Sequence, residues 1–326
     1  MNRPVQIDEP MRQAAATIRE SVTLGAVCHE RPDGDALGSM LGFAVSARLA
    51  GLQVRVAVPP PGELPSRYRF LAPDSLSPAL ISSEPPQTLV AFDCASLDRL
   101  GELASIAEQV ENLVVVDHHI SNVGFGTVDV IDPGAAATVE LVYELILELG
   151  WPIDEEVATC LLTGLVTDTG RFQYSNTTPR THRIAARLLE AGARPEVIGQ
   201  AVFEEEPFGL LAVAGAVLSR ARLDTDRKVV WSVLYIDDLQ AASLNGEDTE
   251  LLIDLVRLPR EAQVAMLIRE TVGRHVRVSL RSRGQVDVGS LASDLGGGGH
   301  HNAAGFRFQG GPAEVLQAVL ERIPLA

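Results

Sequence analysis

The sequence predicts an α/β protein: an N-terminal domain built on a parallel sheet with helices on both faces, then a smaller C-terminal α/β domain, with the active site in the cleft between them. Three observations carry this expectation. The first half alternates short apolar runs with segments of helical spacing, the pattern of a parallel sheet covered on both faces. Strand and helix signals resume after a change in pattern at 192–207. The Asp and His residues with metal-binding chemistry sit just beyond the apolar runs, which is the end of a parallel sheet where ligands bind.

Taken in order, 23–28 is an apolar run and 37–49 has helical spacing. Runs 54–58, 88–92 and 113–116 are further strands, the last two each followed by an acidic residue. Helices are expected at 138–149, 155–165 and 180–190. Helices around 192–207 and at 207–221 would connect two units. The second half reads as strand 228–234, helices near 237–242 and 250–255, and strands 263–270 and 275–281. A helix at 288–295, a Gly-rich loop, strand 305–309 and helix 313–323 complete it. The expected division is a first domain over 1–190, a helical linker over 191–222 and a second domain over 223–326.

The chain has 326 residues, 46% of them hydrophobic and 21% charged, an ordinary globular balance with ample length for a buried core. The net charge is −16, with 27 basic against 43 acidic residues. Long nucleic acids are held through many Lys and Arg phosphate contacts, so a long polyanion track is not expected, whereas a short phosphorylated ligand in a locally positive pocket is compatible. The three cysteines, Cys28, Cys94 and Cys160, are far apart and odd in number. They fit buried thiols in a reducing compartment better than a disulfide framework. The N-terminal stretch is polar and charged, without the look of a signal peptide. The apolar stretch 208–219 is short of the ~20 residues that span a bilayer. A soluble, cytoplasmic protein without membrane partners is expected.

The chemistry concentrates in four places. The run His29-Glu30-Arg31-Pro32-Asp33-Gly34-Asp35 puts His29, Asp33 and Asp35 on one loop between a strand and a helix. Pro32 and Gly34 shape it, Gly34 allowing a tight path between the carboxylates. Carboxylates this close repel each other unless a cation sits between them. A turn with an N-capping Asp is the bland alternative. Asp93 ends the 88–92 run, with Arg99 six positions on, and Asp117-His118-His119 ends the 113–116 run. Asp168 sits at the end of a helix, where an acid opposes the helix dipole unless a cation offsets it. Mixed Asp and His donors suit two divalent ions: manganese first, then magnesium, cobalt or zinc. No cysteine spacing for structural zinc is present.

Together these residues resemble the DHH phosphoesterase superfamily, named for a triplet that here is Asp117-His118-His119. Gly297-Gly298-Gly299-His300-His301-Asn302-Ala303-Ala304-Gly305, with Ser279-Leu280-Arg281-Ser282 before it, resembles the signature of the DHH-associated C-terminal domain. The likeness spans nearly the whole chain and is similar to the subgroup of bacterial oligoribonucleases that also act on 3′-phosphoadenosine 5′-phosphate (pAp). The resemblance implies two manganese ions, with magnesium or cobalt as alternatives. His29, Asp33 and Asp93 would hold one; Asp35, Asp93, His118 and Asp168 the other. Asp117, His118 and His119 would be the catalytic triplet, Asp117 orienting a ligating imidazole and His119 meeting the substrate phosphate. Arg99, Arg281, Ser282, Gly298, Gly299 and His300 would contact substrate. The implied activity is hydrolysis of short RNA or DNA oligonucleotides to mononucleotides and of pAp to AMP, and a homodimer is the assembly that family analogy suggests.

That chemistry explains why such parts are needed. A phosphodiester anion resists attack by water, and a pair of metals ~3.5–4 Å apart overcomes this by lowering the pKa of a water and offsetting charge at phosphorus. A glycine run exposes backbone N–H groups to phosphate, and Arg281 can clamp it with two hydrogen bonds. Within the same superfamily, the alternatives are a phosphodiesterase of cyclic dinucleotides or of their linear products, a single-strand exonuclease, and a pyrophosphatase or exopolyphosphatase. The exonucleases generally carry an extra nucleic-acid-binding domain that this sequence does not show. The Gly-rich signature points away from the pyrophosphatases and exopolyphosphatases. A nucleotide sensor that kept only the fold would have lost ligands, and none is missing from the sequence.

Overall fold

In the computed structural model, residues 8–60, 62, 64–71, 81, 84–244, 249 and 251–325 are described. The chain divides into two compact units, the boundary falling between Glu205 and Glu206.

The first unit carries a five-stranded sheet in the order β2-β1-β3-β4-β5, with β1 Leu24–Cys28, β2 Val54–Ala57, β3 Thr88–Phe92, β4 Asn112–Asp117 and β5 Val128–Ile131. All four pairings are parallel. The order reverses between β1 and β3, the switch point where such sheets open a crevice beyond their carboxyl ends. Both faces are buried, as the unbroken apolar strands require. Alternate residues (Ala26 and Cys28, Val90 and Phe92, Val114 and Val116) pack under α1 Asp8–Glu20, α2 Gly34–Leu49, α4 Thr138–Leu149 and α5 Glu155–Asp168. The residues between them (Val27, Leu89 and Ala91, Leu113 and Val115) pack instead against a helical turn at Leu97–Leu103 and the short helix α3 Ala104–Ala107.

The elements α1, α3 and β5 of this unit are absent from the expectation drawn from the sequence. α1 escapes it because its stretch is largely polar, although Met11, Ala14, Ala15 and Ile18 follow helical spacing and are all buried. β5 is a four-residue edge strand with a mixed burial pattern. The stretch expected as a linker, 191–222, holds helices that pack into different cores. α6 Pro179–Glu190 is followed by α7 Pro195–Phe203, whose Ile198 and Val202 complete the first core. The next helix, α8 Gly209–Ser219, contributes Leu210, Val213 and Val217 to a core of the second unit. The segment is thus shared between the units.

The second unit has a six-stranded sheet, β10-β11-β9-β8-β7-β6, made of β6 Arg222–Asp224, β7 Val229–Leu234, β8 Val264–Thr271, β9 His275–Ser282, β10 Gly298–His300 and β11 Ala303–Gln309. Only the β7–β8 pairing is parallel. α11 Val288–Ser293 and α12 Pro312–Leu320 cover one face; α8 and α10 Leu252–Val256 cover the other, and α9 Ile236–Ala241 lies between β7 and α10 in sequence. Glu250, the expected start of the α10 segment, lies outside the described residues. The Gly-rich loop is a further correction: Gly298–His300 is an edge strand, antiparallel to β11. Gly299 has φ of 143°, and a Cβ there would lie 2.5 Å from the Ala303 carbonyl oxygen, so the glycine permits backbone contact within the sheet. Among the described residues, no helix is long and apolar enough to cross a membrane.

One contact decides where the first unit places its functional groups. α2 and α5 pack almost backbone to backbone. A Cβ on Gly34 would lie 2.4 Å from Thr167 Oγ1, and one on Gly38 would lie 2.4 Å from the Cys160 carbonyl oxygen. Gly34 is therefore required by the approach of α5, and it is the first residue of α2 rather than part of a turn between the carboxylates. Replacing Gly38 with Ala puts a methyl group against main chain that cannot step aside. Equilibrium urea unfolding should show a loss of about 1–3 kcal/mol, the usual cost of overpacking; a variant as stable as the parent would show that the helices are not held this close.

Candidate metal centre

The site is built on the carboxyl ends of β1, β3 and β4 and on helices α2, α4 and α5. His29 follows β1. Its Nδ1–H donates to the carbonyl of Glu30 at 2.8 Å; because a carbonyl only accepts, Nδ1 carries a proton, and Nε2 is the atom turned toward the carboxylates. Arg99 Nη2 lies 3.4 Å from the same Nδ1; both are then donors, so this is proximity without a bond. His29 Nε2 points to Asp93 Oδ2 at 3.5 Å and Asp33 Oδ1 at 4.0 Å. His118 repeats the arrangement. Its Nδ1–H donates to the Ala135 carbonyl at 3.2 Å, leaving Nε2 at 3.3 Å from Asp168 Oδ2, 3.7 Å from Asp93 Oδ1 and 3.8 Å from Asp35 Oδ2. An imidazole whose Nδ1–H is held by a carbonyl has the orientation of a metal-ligating histidine that binds through Nε2.

Three overlapping groups in this centre have ligand atoms within 4.8 Å of one another: His29, Asp33 and Asp93; Asp35, His118 and Asp168; and Asp93, His118 and His119. All six residues expected as ligands are therefore brought together. Asp93 occupies the middle. It is 2% exposed and its backbone is left-handed, with φ of 54°, a conformation that costs a non-glycine residue roughly 1 kcal/mol and tends to persist at functional sites.

Two ligands have structural tasks as well. Asp33 is the N-cap of α2, accepting from the N–H groups of Asp35 at 3.1 Å and Ala36 at 3.0 Å. Asp35 accepts the N–H of Thr138 at 2.6 Å and of Val139 at 3.0 Å from the start of α4. A carboxylate has about four lone-pair positions, so neither task removes the group as a ligand. Asp168 ends α5, brought to Asp35 by the close packing of the two helices.

Asp117 is a member of none of the three ligand groups. Its Oδ1 accepts from the His118 backbone N–H at 2.9 Å and from His119 Nδ1–H at 2.7 Å, and its Oδ2 accepts from Asn122 Nδ2 at 2.7 Å. The ring it orients is therefore that of His119; the expected bond to a ligating imidazole is not made, since the His118 ring is held by the Ala135 carbonyl. Asn122, 8% exposed, is a residue that the sequence does not single out. It donates also to the Cys94 carbonyl at 3.1 Å, tying the ends of β3 and β4 together. Thr138 is a second; its hydroxyl donates to Asp93 Oδ1 at 2.9 Å. The only signal of either residue is a polar side chain close to a ligand or to a helix start. The three cysteines are free and buried, and the Cys94 thiol bonds to the Ser96 carbonyl.

The electrostatics fit a cationic occupant. Burial, and then the charge of Asp93, push Asp35 up to about 8. Burial and the charges of Asp35, Asp33 and Asp93 raise Asp168 well above the carboxylate range. Burial also opposes ionisation of Asp93, but its bond to His29 and the charges of His119 and His118 outweigh it and hold Asp93 below its ordinary value. Carboxylates forced toward neutrality by burial and by one another are what a divalent cation would return to the ionised form.

In the second unit, Arg281 Nη1 donates to the Leu280 carbonyl at 3.0 Å, and its buried Nε has no hydrogen-bond partner. The Ser282 hydroxyl is buried and donates to Asn302 Oδ1 at 3.0 Å, so it braces the turn between β10 and β11. The backbones of Gly298, Gly299 and His300 form the edge strand β10; the His300 side chain lies outside the described residues. Arg99 is exposed beside His29.

Fold and centre define a class, a parallel-sheet protein with a paired carboxylate–histidine site at its switch point. Sequence comparison gives the class its name: the N-terminal domain of the DHH family matches residues 24–165, and the DHHA1 domain matches residues 217–324. The chain belongs to the DHH family of phosphoesterases. It is 36% identical over 306 residues to the bifunctional oligoribonuclease and PAP phosphatase NrnA of Thermus thermophilus, spanning 91% of this chain and 89% of that one. The crystal structure of an exopolyphosphatase-related protein from Bacteroides fragilis matches with a TM-score of 0.89 at 25% identity, over 98% of this chain and 97% of that chain. RecJ from Thermus thermophilus, crystallised in complex with Mn2+, shares the fold at a TM-score of 0.60 and 15% identity, over 98% of this chain and 55% of its own.

His119 offers a direct check on this geometry. Burial pulls its pKa down, but the bond to Asp117 and the charge of Asp93 outweigh that and raise it to about 9. A raised imidazole contributes stability that is complete below its unfolded pKa, ~6.5, and that is lost as pH climbs through the folded value. In metal-free protein, an NMR titration should find His119 still protonated at neutral pH. Asp117→Asn should bring its midpoint down toward ~6.5; a parent midpoint already there would contradict the Asp117–His119 bond.

Proposed function

We propose that this chain is a two-metal phosphoesterase that hydrolyses short oligonucleotides to mononucleotides and pAp to AMP. The observation that carries the reading is the pair of three-residue ligand groups that meet at Asp93 and His118. His29, Asp33 and Asp93 would hold one ion, and Asp35, Asp93, His118 and Asp168 the other, with manganese as the ion and magnesium or cobalt as alternatives. When bound, the ions would supply Lewis acidity toward the phosphate and lower the pKa of the attacking water.

The chain's own residues do the rest. Asp117 holds the His119 ring by Nδ1, and Nε2–H of the protonated ring would donate to a non-bridging phosphate oxygen. Arg99 adds positive charge on the His29 side. In the second unit, Arg281 and the backbone of Gly298, Gly299 and His300 would hold the terminal phosphate or nucleotide, with Ser282 supporting that segment through Asn302. The shared chemistry named for the Thermus relative supports both substrates. The net charge of −16 favours short ones, since each added phosphate meets an acidic exterior. Buried, unpaired thiols suit the reducing cytoplasm.

Purified chain with Mn2+ should release AMP from pAp and mononucleotides from an RNA series of ~2 to ~24 nucleotides, with turnover falling as length grows. Asp93→Ala or chelation should cut both activities on the order of 10³-fold or more, because one change disables both ion positions. Activity that survives either treatment would rule out the two-metal mechanism, and equal turnover across the length series would rule out the short-substrate preference.

Arg281→Ala separates binding from chemistry. Losing a charge-assisted bond to phosphate should raise KM for pAp about tenfold or more, with kcat and bound manganese unchanged. A fall in kcat or in metal content with KM unaltered would place Arg281 outside the substrate contacts.

A further inference from the structure

α4 has no cap of its own. Ala137 stands at the cap position, and its side chain accepts nothing from the first turn. Asp35 takes over this task from α2 through the N–H groups of Thr138 and Val139. Thr138 in turn directs its buried hydroxyl across to Asp93, donating to Oδ1 at 2.9 Å. One residue at the start of α4 therefore touches two of the ligand carboxylates, one through its backbone and one through its side chain.

The side-chain bond matters because of what else can donate to Asp93. His29 and His118 spend Nδ1–H on main-chain carbonyls. To ligate a cation, each must present a bare Nε2, so neither then has a proton for Asp93. His119 gives its Nδ1–H to Asp117 at 2.7 Å, nearer than the 3.6 Å to Asp93 Oδ1. In the ligating state, the Thr138 hydroxyl is the donor that remains on Asp93. The carboxylate torsion of an aspartate is intrinsically broad, yet this one must aim Oδ2 at the His29 side, 3.5 Å away, and Oδ1 at the His118 side, 3.7 Å away.

We propose that Thr138 is a positioning residue: its hydroxyl sets the rotation of the Asp93 carboxylate and so makes that group a shared ligand of two cations. The inference rests on the two-cation reading of the site. The bond to Oδ1 uses one lone pair and leaves another for the ion. Loss of the hydroxyl leaves Asp93 able to serve one ion but not aimed to serve both.

The test is Mn2+ binding by the full-length, metal-stripped chain, followed by calorimetry and by electron paramagnetic resonance, with pAp hydrolysis alongside. The parent should take up two ions and show the signal of a spin-coupled pair. Thr138→Val, which keeps the shape and loses the hydroxyl, should hold the first ion at near-parent affinity. It should bind the second about 10–100-fold more weakly, the usual effect of removing a group that orients a ligand, and lose the coupled signal in proportion. Thr138→Ser should restore both to within about threefold, since it keeps the donor that holds the ligand. If Thr138→Val does not fold, Thr138→Ala carries the same readout. Two ions bound and coupled as in the parent without the hydroxyl, or a serine variant that restores neither, would overturn the proposal. A parent chain that takes up fewer than two ions would overturn the two-cation reading itself, and the proposal with it.

Discussion

The carboxylate of Asp93 is the constraint around which the first unit is organised. It must face His29 on one side and His118 on the other, and these residues follow strands on either side of β3. A parallel sheet meets that demand because adjacent strands end side by side, ~4.8 Å apart, so side chains just past three neighbouring strands can converge on one point. The switch of strand order between β1 and β3 keeps the connections out of the way, since the chain leaves these strands in opposite directions. The left-handed backbone at Asp93 is the local cost of turning the chain so that its carboxylate looks inward.

The helices supply what the strands cannot. Asp35 and Asp168 belong to α2 and α5, and they meet His118 because glycines let those helices touch at the backbone. α4 contributes no ligand. It contributes a helix N-terminus, whose partial positive charge and unpaired N–H groups favour a carboxylate there, and Asp35 accepts two of those bonds. The positive end of α4 thus works against the mutual repulsion of Asp35 and Asp93, but only in part, since Asp35 is still raised to about 8.

Much of this could be read from the residues. Runs such as Leu89–Phe92 followed by Asp93, or Leu113–Val116 followed by Asp117 and two histidines, announce both a buried strand and a group at its end, and Asp93 and His118 do follow β3 and β4. What escaped was of two kinds. α1, β5 and β10 carry weak local signals: a polar-looking helix whose apolar face is four small or medium residues, a short edge strand, and glycines that read as a loop. Asn122 and Thr138 escaped for another reason. Thr138 meets Asp93 from 45 positions away, and Asn122 meets Cys94 from 28. A polar side chain gives no sign in sequence of a distant partner, because the fold alone creates the contact. Gly34 shows the converse, since its position beside two aspartates suggested a turn, whereas the demand on it comes from Thr167 in another helix.

Several groups have two employments, and this links the site to the stability of the fold. Asp33 caps α2 and faces His29; Asp35 caps α4 and faces His118. The bland roles of an N-terminal aspartate and the functional ones are therefore the same atoms at work. A site that gathers carboxylates in a buried place is unfavourable for the bare protein, since burial and like charge push protons onto Asp35 and Asp168, and a neutral carboxyl makes a weaker helix cap than an ionised one. Any cation that binds the folded chain and not the unfolded one adds RT ln(1 + [L]/Kd) to its stability, and here it would also restore the charge with which Asp35 holds the start of α4. Affinity for the ion and the integrity of α4 are then coupled, and the placement of Asp35 between the site and that helix start is what couples them.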